Sequence, residues 1–282
     1  MKNKTIVLIV LIVIGVCPVL CTETKELSPF DHIAKDAKEA YQYDFSDYGG
    51  YLTSPLRWDV EQWKTAGAVV GITGALMLID KPLFFSVDSK NLHGVNNALN
   101  VFFEMGNWKN IIMYMPTLYL TSLVIKDERL RRSTLLAWHS FGAEILVTQG
   151  LKGALNRTLN RNEATSDPFE YKSPDFSLPS QGVLPSGHAS TVWAIMTVYA
   201  DEYQNDGILP YLIYGTATLS SLSLIPTQSH WASDIFLGAA IGYYTGKTAR
   251  YYEEKHRTCQ TGVTLQPAML PTGPGVSLTA SF

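Results

Sequence analysis

Hydrophobic and polar positions alternate at near-helical spacing from Phe30 to Tyr43, which predicts a surface helix, and Tyr48-Gly49-Gly50-Tyr51 is expected to break it. Beyond it come uncharged or nearly uncharged stretches at 65–79, 110–125, 133–151, 189–200, 208–226 and 235–246, each of helical length and pattern. The stretch between Asn156 and Val183 is polar and carries Asp167-Pro168, Ser173-Pro174 and Pro179, so it is expected to be a loop joining two helices. After Cys259 the period changes to alternation: Val263 and Leu265, then Pro271-Thr272-Gly273-Pro274-Gly275, then Val276, Leu278, Ala280 and Phe282. This predicts a short C-terminal β-hairpin, because one hairpin cannot close a membrane barrel and satisfy its own edges. The expected fold is therefore all-α, an antiparallel bundle of about six core helices with a terminal hairpin.

The N-terminus changes the picture of where this bundle works. Lys2 and Lys4 precede an apolar run from Ile6 to Leu20, followed by polar Thr22-Glu23-Thr24, the pattern of an export signal or an uncleaved anchor. The bulky Leu20 before Cys21 argues against lipidation. The expected organisation is a signal or anchor over 1–21, an extension over 22–63, a helical domain over 64–257 and a β tail over 258–282.

Composition bears on the membrane question. The chain is 46% hydrophobic and only 17% charged. A spanning helix needs about 20 predominantly apolar residues, and several stretches are shorter or carry polar groups such as His139 and Glu144. The basic segments Lys126–Arg132 and Lys247–Arg257 prefer the cytoplasm. Six spans would then place 22–63 in the cytoplasm too, whereas a cleaved signal would export it. Three resolutions stay open: the signal is an anchor, one stretch does not span, or the bundle is not transmembrane. A net charge of −3, from 22 basic and 25 acidic residues, gives no reason to expect nucleic acid. Cys17 and Cys21 lie at the leader and Cys259 stands alone, so neither a disulfide framework nor a cysteine metal site is expected.

Three local patterns carry candidate chemistry. Pro185-Ser186-Gly187-His188 immediately precedes a helix, whose first N–H groups suit an oxyanion. His230 and Asp234 are four residues apart, so a carboxylate can hold and charge an imidazole on one helix face. Lys152 ends a helix, with Arg157 and Arg161 close behind. Singly these read as a cap, a polar pair and a solvated helix end. In a bundle of alternating helices, however, all three fall at the same end.

In order and spacing these residues resemble the type 2 phosphatidic acid phosphatase and vanadium haloperoxidase superfamily, over about residues 140–250. That family's pattern is Lys-x6-Arg-Pro, Pro-Ser-Gly-His and Ser-Arg-x5-His-x3-Asp, met here by Lys152, by Pro185-Ser186-Gly187-His188 in full, and by Ser223, His230 and Asp234. The resemblance implies an exported bacterial phosphatase working without metal or other cofactor. By it, His230 is the nucleophile forming a phosphohistidine, Asp234 orients and charges it, and His188 protonates the leaving oxygen. Ser186, Gly187 and Lys152 would hold the phosphoryl oxygens. The chain departs from the pattern at Leu159-Asn160, in place of Arg-Pro, and at Leu224, in place of Arg. Leucine cannot replace a bidentate guanidinium. Arg157 and Arg161, on either side of Leu159, are the candidate substitutes for phosphate binding. The implied partner is a phosphorylated lipid or small phosphoester at a membrane, with no nucleic acid. The implied site is the bacterial cell envelope, either in the inner membrane facing the periplasm or in the periplasm itself. The alternatives are a catalytically impaired phosphate-ligand or envelope protein and, behind it, a vanadate-dependent haloperoxidase on the same frame.

Overall fold

The computed structural model describes residues 28–87, 93–260, 263–270 and 273–280. The expected leader, 1–21, lies outside the described residues. Helix α1, Pro29–Thr53, begins at Ser28, whose hydroxyl accepts from the Asp31 N–H at 3.2 Å while Asp31 reaches back, with Pro29 at the first helical position. It runs straight through Gly49-Gly50, where the sequence pattern predicts a break. Gly50 is there for packing, since a Cβ would overlap the Tyr252 hydroxyl. A short 3-10 turn, Ser54–Arg57, leads to Asp59, which caps α2, Val60–Ser86, by accepting from the Gln62 N–H at 2.8 Å. Helix α3, His93–Met105, falls on none of the apolar stretches, because Asn96, Asn97 and Asn100 interrupt its pattern.

Asn107 and Asp127 cap α4, Trp108–Ile125, and α5, Glu128–Leu155. Lys126 and Asn156, each left-handed, end them. The polar loop expected after Asn156 is followed by α6, Gly187–Glu202, then α7, Leu209–Leu222, and α8, Ala232–Gln260. The described residues are thus mostly helical. Two C-terminal strands, Val263–Leu270 and Gly273–Ala280, pair antiparallel.

Helix α6 is central, touching α5, α7 and α8. Gly238, Gly242 and Gly246 form a stripe along α8, four residues apart, and lie against Ser186, Ser190 and Thr197 of the α6 side. A Cβ on Gly242 would overlap the Ser190 carbonyl. This stripe lets the two backbones approach closely and sets their N-termini side by side, so that the Ser186 N–H donates to the Asp234 carbonyl at 2.9 Å. The opposite end of the bundle is charged: Arg129, Arg132 and Arg250 converge on Glu202, and Arg131 ties α1 through Asp36. Among the described residues, only α2 is long and apolar enough to cross a membrane. Just 17% of its most apolar window is buried.

Candidate active site

The joined N-termini of α6 and α8 and the C-terminal turn of α5 meet at one end of the bundle. Ser186 is fully buried and caps α6, accepting from the Ala189 N–H at 3.4 Å. First-turn N–H groups such as those of Gly187 and His188 precede the helical ladder and remain available to a ligand. Lys152, from the last turn of α5, brings its Nζ to 3.9 Å from where a Cβ on Gly187 would stand. Burial lowers the Lys152 pKa, against the opposing pull of Asp234 and Glu144. The His188 ring stacks on Phe103 of α3 with centroids 4.9 Å apart. Burial, then His230 and then Lys152 lower its pKa to about 4, with Glu104 acting the other way.

His230 sits just ahead of α8. Its Nδ1 lies 3.1 Å from the Val183 carbonyl. A carbonyl can only accept, so Nδ1 carries the proton and Nε2 keeps its lone pair. The Asp234 carboxylate is farther away, with Oδ2 3.7 Å from Nδ1. The carboxylate expected to hold the ring therefore acts on it by charge, and a backbone carbonyl makes the hydrogen bond. The reason is that Asp234 is already engaged: Oδ2 accepts from the Trp231 N–H at 3.0 Å and Oδ1 from Arg157 at 2.5 Å.

Arg157 and Arg161 are placed differently from each other. Arg157 is fully buried and donates to the Pro168 carbonyl, Ser233 Oγ, Asp234 and Asp80. Arg161 is on the exposed loop, its Nε 3.2 Å from the Gln228 carbonyl. Leu224 is buried in a small apolar cluster with Ala189 and Ile235, so no cation stands at that motif position. Leu159 is half-buried, and Asn160 donates to Thr165 Oγ1 at 2.8 Å.

Five residues near the site are absent from the sequence-derived set of candidates. Val183 contributes only its carbonyl, which no residue identity signals. Phe103 and Glu104 arrive on α3, where no helix is expected. Glu144, fully enclosed, accepts from Ser190 and, at 3.1 Å, from Thr191, and burial raises its pKa. Asp80, also fully buried, had a signal: it is an acid closing an apolar run, a position acids occupy only when paired.

The bundle thus gathers two histidines, a lysine and a helix N-terminus at one end, an arrangement chemically suited to an oxyanion. Residues 134–257 match the family model described as the PAP2 superfamily. Over 66 residues it is 36% identical to the lipid A 1-phosphatase of Porphyromonas gingivalis, a match over 22% of this chain and 14% of that protein. The chain thus spans a small fraction of that relative's length. Among solved structures, it is similar to the crystal structure of the first transmembrane PAP2 type phosphatidylglycerolphosphate phosphatase from Bacillus subtilis. That similarity is at 16% identity and TM-score 0.46, covering 76% of this chain and 96% of the other.

Proposed function

We propose that the protein is a metal-independent phosphatase that hydrolyses a phosphomonoester or diphosphate, of a lipid, through a phosphohistidine. The observation that carries this reading is the tautomer of His230: Nδ1–H is engaged by the Val183 carbonyl, which leaves the lone pair on Nε2 for attack. Nε2 attacks phosphorus and the bond to the leaving oxygen breaks. His188 gives that oxygen a proton. Water then attacks the phosphohistidine, His188 takes a proton back, and inorganic phosphate leaves with the P–N bond broken. Lys152, Ser186 and the first N–H groups of α6 hold the phosphoryl oxygens as their charge grows. The charge of Asp234, 3.7 Å from Nδ1, supports the imidazole as it becomes cationic.

Membrane association is supported by α2, whose Val60, Trp63, Val70, Ile72, Leu78 and Ile79 are all exposed. A lipid substrate is supported by that surface and by the local similarity to the lipid A 1-phosphatase of Porphyromonas gingivalis. We place the helical domain over 64–257 in the bacterial envelope, with the site turned away from the cytoplasm. A second reading, phosphate-ligand binding without turnover, is favoured by one observation: Leu224 is buried among apolar residues and Arg157 is committed to carboxylates, so cations are scarce.

The test is rapid quenching of the detergent-solubilised protein with 32P-labelled phosphatidic acid. Wild type is expected to yield an acid-labile, base-stable phosphoenzyme, and His230→Ala neither phosphoenzyme nor turnover. Wild-type turnover in His230→Ala overturns the mechanism. Vanadate binding without turnover or phosphoenzyme in wild type establishes the second reading.

A further inference from the structure

Next to His230 lies a set of fully buried polar groups, Asp80, Arg157, Ser233 and Asp234. Asp80 comes from α2, Arg157 from the loop after α5, and the other two from the first turn of α8. One carboxylate oxygen of Asp80 accepts from the Ser233 N–H at 3.0 Å. The other accepts from the Ser233 hydroxyl and, at 2.7 Å, from Arg157 Nη2. Arg157 Nη1 in turn donates to Asp234 Oδ1 at 2.5 Å and to Ser233 Oγ at 2.7 Å.

One guanidinium is therefore shared by two carboxylates, and the set carries one net negative charge. With Asp234 as its only partner, Arg157 would cancel most of that residue's field at His230. A second carboxylate restores it. A buried ion set is not needed to hold α2 in place, since apolar residues of similar volume commonly serve as well or better. What apolar residues could not supply is this charge balance, together with the grip on Ser233 next to Asp234.

We propose that Asp80 is a positioning residue for the phosphoryl-transfer site: it fixes the first turn of α8 through Ser233 and balances Arg157, so that Asp234 keeps its negative charge for His230. This rests on the reading of His230 as nucleophile. The charged and titratable groups around His230 and its ion set are Asp234 on α8, His188 on α6, Lys152 on α5, Arg157 and Tyr171 in the loop and, paired with Arg157, Asp80 on α2.

The test uses full-length protein in detergent micelles. Asp80→Asn keeps an oxygen to accept from Ser233 and removes the charge. It is expected to lower kcat between about tenfold and a hundredfold with KM changed less than about twofold. The acid limb of kcat/KM is expected to move to lower pH, because an uncompensated Arg157 disfavours the imidazolium. The same direction is expected in the titration midpoint of the His230 signal, followed by 15N NMR and assigned with His230→Ala. Asp80→Glu should recover the wild-type midpoint, and the double variant Asp80→Asn, Arg157→Gln, which removes both charges, should bring the midpoint back up. A role confined to folding lowers the folded fraction and leaves the midpoint in place; that result overturns the proposal. If Asp80→Asn does not fold, the double variant is compared with Arg157→Gln alone: a lower midpoint in the double variant, which lacks the Asp80 charge, upholds the proposal, and equal midpoints overturn it. The NMR readout does not depend on turnover. Failure of the phosphatase reading, seen as an active His230→Ala, is thereby distinguishable from failure of this one.

Discussion

His188 has its imidazole enclosed against Phe103, near Lys152 and His230, with a pKa lowered to about 4. At neutral pH the empty site therefore holds it uncharged, and an arriving phosphoryl dianion supplies the negative charge that favours its protonation. The folded chain binds this proton less well than the unfolded chain, whose histidine titrates near 6.5. Stability accordingly rises with pH between about 4 and 6.5 and is lost on acidification through that window. His188→Gln should remove this slope, so its Tm should fall less than that of wild type between pH 7 and pH 5 in differential scanning calorimetry. The same variant should lose about 10²–10⁴ in kcat on alkyl phosphates, the range for a missing general acid. It should lose far less on p-nitrophenyl phosphate, whose leaving group needs no proton. Equal losses on both substrates would remove His188 from the proton-transfer role. The sequence brings out this residue, and Lys152, Ser186 and His230, because each sits at a fixed offset from a helix end. Asp80 is signalled only as an acid closing an apolar run, without its partner, and the Val183 carbonyl is not signalled at all. Asp80 meets a partner, Arg157, that is remote in the chain, and a carbonyl is common to every residue.

At the scale of elements, α4 to α8 follow apolar stretches while α3 does not, and helix starts follow caps such as Asp59, Asn107 and Asp127. Glycines separate what periodicity can show from what it cannot. Gly49-Gly50 reads as a break, yet α1 continues through it, because the second glycine admits Tyr252 and the first faces open space. The stripe of Gly238, Gly242 and Gly246 looks like helix-weakening composition, yet it is what seats α8 against α6. These positions should respond oppositely to one added methyl group. Gly242→Ala forces a Cβ into the Ser190 carbonyl and should cost about 1–3 kcal/mol through overpacking. Gly49→Ala meets nothing and should gain up to about 1 kcal/mol of helix propensity. Thermal unfolding of both variants in the same detergent checks this. A lower Tm for Gly49→Ala, or an unchanged one for Gly242→Ala, would contradict the packing described.

For the whole molecule, the two ends of the bundle differ in a way that bears on orientation. The site lies where α5 ends and α6 and α8 begin, whereas Arg129, Arg131, Arg132 and Arg250 crowd the other end around Glu202 and Asp36. In the sequence those arginines are a basic loop and tail that conflict with an export signal if every stretch spans. Among the described residues, α2 is the helix whose length and apolarity suit a crossing. An arginine-rich end favours the cytoplasmic face. The site end should then face the opposite compartment, where the headgroups of the outer leaflet are within reach. With Cys17, Cys21 and Cys259 replaced by serine, Ala164→Cys in the exposed loop of the site end should react with a membrane-impermeant maleimide in intact spheroplasts. Asn205→Cys, exposed in the turn between α6 and α7 at the arginine end, should react only after permeabilisation. Alkaline carbonate should leave both variants in the membrane pellet, since the apolar face of α2 is held by lipid and not by charge. Labelling of Asn205→Cys alone in intact spheroplasts would reverse the orientation. Release of the protein by carbonate would instead turn the apolar face of α2 into a surface for a protein partner, and a soluble phosphoester would become the substrate to test first.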